Sequence, residues 1–138
     1  MDKNYDFLIS EARSLIRARY QKDGHHTVVA VALLTTSGKV YTSLNVGTYQ
    51  PSISTCAEII AIGMALRDDP HFKIEAIAAV RDENGYLITP CGKCREYIAD
   101  YSDDALVLVP NEIGKDEYSA IPVSELLPYK YKKITKEI

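Results

Sequence analysis

The sequence predicts an α/β fold, a three-layer α/β/α sandwich around a mixed β-sheet. Three observations point there. Segments of helical and strand character succeed one another in the order helix, strand, strand, helix, strand, helix, strand, the pattern of a sheet covered on both faces. The strand-like runs are short and rich in valine, leucine and isoleucine, as buried strands are. The 138 residues hold no internal repeat and no low-complexity linker, so residues 1–138 read as one domain able to bury a core without staples.

Over residues 5–21, Leu8, Ala12, Leu15, Ile16 and Tyr20 recur at roughly helical spacing, and Gly24 supplies the stop. Residues 25–36 are rich in valine and leucine. Ser37 and Gly38 then offer turn chemistry before residues 39–46, which predicts an antiparallel hairpin. Residues 47–55 contain Gly47, Pro51 and two serines without any period, so they form a loop, with Ser54 or Thr55 able to cap the next helix. That helix spans residues 56–67, good helix formers that are apolar on most sides, and Pro70 closes it; a largely buried helix is expected.

Residues 74–80 are an apolar run of strand length, ended by the turn cluster Asp82, Glu83, Asn84 and Gly85, after which residues 86–89 extend the sheet. Pro90 precedes a short helix over residues 92–101, and residues 105–109 form another buried strand. A small helix over residues 123–127 leads into Tyr129 and Tyr131.

A formal net charge of −3, with no basic run longer than Lys132 and Lys133, disfavours nucleic acid as a partner. No apolar stretch is long enough to span a bilayer, and the N-terminus lacks the basic start and apolar run of a secretory signal. A cytoplasmic protein without a membrane partner is expected. Three cysteines, an odd number, argue against a disulfide framework and need another reason.

That reason lies in the segments around them. Cys56-Ala57-Glu58 and Pro90-Cys91-Gly92-Lys93-Cys94 are 35 positions apart, and each opens a predicted helix. A helix start carries unpaired N–H groups and a positive dipole end, which lower a thiol's pKa and favour the thiolate that binds metal. Three soft ligands suit zinc, and three protein ligands leave a position for water, as in catalytic sites. His25, His26 and His71 are the candidates for a fourth ligand, and none is spaced with either cysteine segment. Three thiolates weaken the acidity that zinc confers on water, so a general base is needed, and Glu58 at the helix end is placed for it.

In these residues the chain resembles the cytidine deaminase superfamily, whose zinc chemistry uses H-x-E or C-x-E followed by P-C-x-x-C. The match is to its small three-cysteine branch. Ser37-Gly38-Lys39-Val40-Tyr41, Asn45-Val46 and Ser124-Glu125-Leu126-Leu127-Pro128 extend the likeness over roughly residues 27–131. The resemblance implies one zinc ion per chain on Cys56, Cys91 and Cys94, and hydrolytic attack at C4 of a cytosine ring. Glu58 would move protons to N3 and to the departing amine. It also implies substrate contacts from Asn45, on the sugar, and from Ala57. A homotetramer is implied too, with Tyr129 and Tyr131 either reaching a neighbour's pocket or covering their own domain.

Three departures bear on the substrate. Asn45-Val46-Gly47 lacks the glutamate of the family's N-x-E, Thr27 stands where an aromatic residue stacks on the base, and Ile59 replaces the arginine that often comes after the catalytic glutamate. Blasticidin S deaminases resemble this chain in lacking that glutamate and that arginine. The expected function is therefore deamination of a cytosine nucleoside or a blasticidin S-like analogue. A standard cytidine or deoxycytidine deaminase of pyrimidine salvage, or a silent relative that only binds nucleosides, remains the alternative.

Overall fold

The computed structural model describes residues 4–19 and 28–133. Asp6–Arg19 forms α1, whose first turn is started by the Asn4 carboxamide oxygen accepting from the Asp6 N–H at 2.8 Å. Val29–Thr35 (β1) and Val40–Leu44 (β2) form the expected hairpin, Ala57–Asp68 is α2, and Ile74–Arg81 (β3) is followed by Tyr86–Ile88 (β4). Gly92–Tyr101 is α3, Leu106–Pro110 is β5, Tyr118–Pro122 is β6, and Val123–Leu126 is a single 3-10 turn. The predicted helix end near Gln21 and the strand start at His25 lie outside the described residues.

The sheet runs β2-β1-β3-β5-β6, with β4 paired to β3. It is mixed: β3 and β5 are parallel, and the other pairs are antiparallel. Burial explains why the central strands read as unbroken apolar runs. Every residue of β1 after Val29 is buried, as is nearly all of β3, because both sheet faces are covered. On one face α1 packs Leu8, Ala12 and Ile16 against Ala30, Ala32 and Val80. On the other, α2 and α3 pack Ala61, Ala65 and Ile98 against Val31, Leu33, Ile77 and Val107. This is the three-layer α/β/α sandwich with a mixed sheet that the segment order predicts.

Two expectations change. Strand β6 has no counterpart in the sequence pattern: it is a half-buried edge strand of five residues ending in Pro122, too short and too mixed to show a period. The cap of α2 is neither Ser54 nor Thr55 but Cys56, in extended backbone at φ −69° and ψ 147°. The two candidates are engaged elsewhere. Ser54 Oγ accepts from the Thr48 N–H at 3.1 Å, and Thr55 exchanges two backbone hydrogen bonds of 2.9 Å with Val46. Together they close the loop that leads into the helix.

Candidate metal centre and active-site cavity

Cys56 and Cys91 occupy equivalent places, each the residue before the first turn of its helix, in extended backbone and without a side-chain cap. Cys94 comes one turn into α3 and is fully buried. Two helix starts from the same layer thus converge, and the three sulfurs lie within 4.8 Å of one another, with Cys91 and Cys94 at 3.6 Å. Tetrahedral zinc with Zn–S bonds near 2.3 Å sets neighbouring sulfurs about 3.8 Å apart, so the group fits the ion with little adjustment.

The thiols are not alike. Burial pushes Cys94 upward most strongly, helped by the charge of Glu58, and burial also raises Cys56. At Cys91 burial acts the same way, but hydrogen bonds from the Cys94 backbone and thiol outweigh it and hold the thiol below its ordinary range. A divalent cation overrides all three, because coordination deprotonates a thiol outright. His71, the one candidate fourth ligand among the described residues, is exposed in the turn after α2 and takes no part in the group. His25 and His26 lie outside the described residues.

Glu58 stands in the first turn of α2 and is only 4% exposed. Burial raises its pKa, opposed by backbone and Cys94 hydrogen bonds. A buried Ser43 hydroxyl donates to the Ala57 carbonyl at 2.6 Å, tying β2 to the turn that carries Cys56 and Glu58. On the other ligand segment, Arg95 donates from Nε to the Pro90 carbonyl at 2.8 Å and from a terminal nitrogen to the Leu126 carbonyl at 3.3 Å. Arg95 therefore holds the loop before Cys91 by its backbone. In sequence this arginine, next to Cys94, reads either as a counter-charge to the thiolates or as an ordinary surface residue of the helix. Ser43 gives no sequence signal at all, since its role depends on a contact 14 residues away.

Cys56, Glu58 and Cys91 line a cavity of about 460 Å³, and Asn45, Ala57 and Arg81 line it with them. Asn45 sits just past β2, where its side-chain oxygen accepts from the Val29 N–H at 2.8 Å. That bond identifies the oxygen end of the amide. The two predicted tyrosines lie elsewhere. Lys130 pins the tail to α3 through Asp100 at 2.6 Å and Glu96 at 3.4 Å, and Tyr129 and Tyr131 on either side of it stand fully and largely exposed. Neither lines the cavity of this chain. Thr27 lies outside the described residues, and Ile59 is half-buried on α2.

A sandwich that aims two helix starts at one three-thiol cluster, with a buried carboxylate beside it in an open cavity, defines a metal-dependent hydrolase of the three-ligand zinc type. The family described as the cytidine and deoxycytidylate deaminase zinc-binding region matches residues 2–109. This chain belongs to that family of zinc-dependent deaminases. It is 34% identical over 131 residues to blasticidin-S deaminase of Bacillus cereus, covering 90% of this chain and 89% of the relative. It is 30% identical over 105 residues to cytidine deaminase of Sporosarcina psychrophila, covering 76% and 75%. Among solved structures, the cytidine deaminase of Burkholderia pseudomallei superposes with a TM-score of 0.73 at 26% identity, over 94% of this chain and all of that one. The Mycobacterium tuberculosis cytidine deaminase gives 0.75 at 23% over 96% of this chain and all of that one, a likeness of fold.

Proposed function

We propose that the chain deaminates a free cytosine nucleoside or a blasticidin S-like analogue, with Cys56, Cys91 and Cys94 as the zinc ligands and Glu58 as the proton carrier. The observation that carries this reading is a carboxyl group 4% exposed in the same cavity as the ligand thiols. When bound, zinc supplies Lewis acidity for activating a water, softened by three thiolate donors. Glu58 would take the proton that the attacking water loses. Because burial favours its neutral form, Glu58 can hold that proton and pass it to N3 of the base. The second proton of the water leaves by the same route with the C4 amine, so cytosine and water give uracil and ammonia.

Asn45, with its oxygen engaged by Val29, meets a sugar oxygen through its amide N–H, and Ala57 contacts the base at the start of α2. Support for a homotetramer comes from the tyrosines: a tail pinned by Lys130 while Tyr129 and Tyr131 face outward suits insertion into a neighbouring copy's cavity. A solution mass of one 15.4 kDa chain would count against that assembly. Three unpaired cysteines suit the reducing cytoplasm as its place of work.

The deciding experiment incubates zinc-loaded protein with cytidine, deoxycytidine and blasticidin S and measures ammonia. At least one is expected to react, and Glu58→Ala is expected to lose turnover by a factor of about 10² to 10⁴ while keeping its zinc. Undiminished turnover in that variant would overturn the role given to Glu58.

A further inference from the structure

Besides the metal cluster, the cavity contains one charged side chain that the deamination chemistry leaves unused. Arg81, the last residue of β3, lines it, and is the sole cationic residue among the described residues that do. Its position is set by strand register. Ala30 of β1 pairs with Leu44 of β2, so the next step brings Val29 beside Asn45, and Val29 pairs in turn with Arg81 on β3. Asn45, Val29 and Arg81 thus form one row across three strands, facing α2 as Val31 and Ala79 do. With strands about 4.8 Å apart, Asn45 and Arg81 are about 10 Å apart at the backbone, the span of a sugar and its substituent.

Among the described residues the arginine has little else to do. It forms an ion pair with the adjacent Asp82 at 3.5 Å, and both side chains are half exposed, which makes the pair weak. A guanidinium in that state is available to bind an anion through two parallel hydrogen bonds. The buried Glu58 carboxyl beside the cysteine cluster makes the opposite end of the cavity unsuited to an anion.

We infer that Arg81 is a specificity-determining residue that selects a cytosine nucleoside whose sugar carries an anionic group, a carboxylate or a phosphate, in line with Asn45. The inference rests on the proposed reading of the cavity as a nucleoside site and adds to it the residue that reads the charge of the sugar's substituent. It also gives physical content to Gly47: where the glutamate of N-x-E is absent, the sugar side has lost a negative group, and Arg81 makes it positive.

The test measures binding by calorimetry, separately from turnover, using the uracil forms of three ligands with zinc-loaded protein: uridine, uridine 5′-carboxylate and uridine 5′-monophosphate. At least one anionic ligand is expected to bind ten-fold or more tightly than uridine. Arg81→Ala should bring anionic and neutral ligands level, and Arg81→Lys should restore part of the difference, since it keeps the charge without the fork. The better of the two anions identifies the group. Equal affinity for uridine and both anions in the unaltered protein, or a preference that persists in Arg81→Ala, overturns the inference. Ammonia release from the matching cytosine compounds is read in parallel. Ammonia without an anion preference would leave the deaminase standing and remove Arg81's role, whereas an anion preference without ammonia would do the reverse.

Discussion

The two ends of the cavity are built in opposite ways. At the metal end each ligand is placed by its own short segment: a cysteine before a helix start, with the third ligand one turn later. At the end proposed to take the sugar, Asn45 and Arg81 are placed by the register of three strands, and no local sequence pattern marks them as partners. Local encoding survives slight shifts of the sheet, while a row across strands fails together when one register slips. On the proposed reading the first end fixes the chemistry, and the second is where a substrate can change without disturbing it.

The largest test of that division is Cys94→Ser. Removing a buried ligand should cut zinc from one ion per chain to less than a tenth, abolish turnover, and lower the melting temperature by roughly 10 °C, checked by metal analysis and calorimetry. Survival of the full zinc content would break the contrast at its stronger end. At the other end, Asn45→Ala should leave zinc unaltered and lower kcat/KM by about ten-fold or more, chiefly through KM. A loss of metal in that variant would mean that the two ends are not separable. Ser43→Ala lies between them, because its hydroxyl joins β2 to the turn bearing Cys56 and Glu58. It should cost about 1–2 kcal/mol in denaturant unfolding and reduce kcat by a smaller factor than the Glu58 substitution does.

Legibility in the sequence divides along the same line. The helix–strand order, the buried central strands and the boundaries of α3 are all readable, since period and turn residues encode them within ten or so residues. The grouping of Cys56, Cys91 and Cys94 is readable because helix starts make a common target physically sensible, although only the fold brings the sulfurs together. The cap of α2 is misplaced by sequence reasoning because Ser54 and Thr55 have the right chemistry but are held by Thr48 and Val46. Arg81 escapes notice for a similar reason. At the end of a strand and next to Asp82 it looks like an ordinary surface charge, and its place beside Asn45 exists only across strands. Tyr129 and Tyr131 carry no period at all, and their exposure is set by Lys130 gripping α3 between them.

Arg95 gives the molecule a further property. One guanidinium grips the carbonyl just before Cys91 and also the turn at Leu126 that starts the C-terminal tail. The loop that presents a metal ligand and the segment that presents the exposed tyrosines consequently share a single hinge pin. Thermodynamic linkage is reciprocal: if seating the tail against another surface tightens the hold on the metal by some factor, then filling the metal site tightens the seating by that same factor. Ion and assembly would then act as each other's effectors, through a side chain that touches neither one.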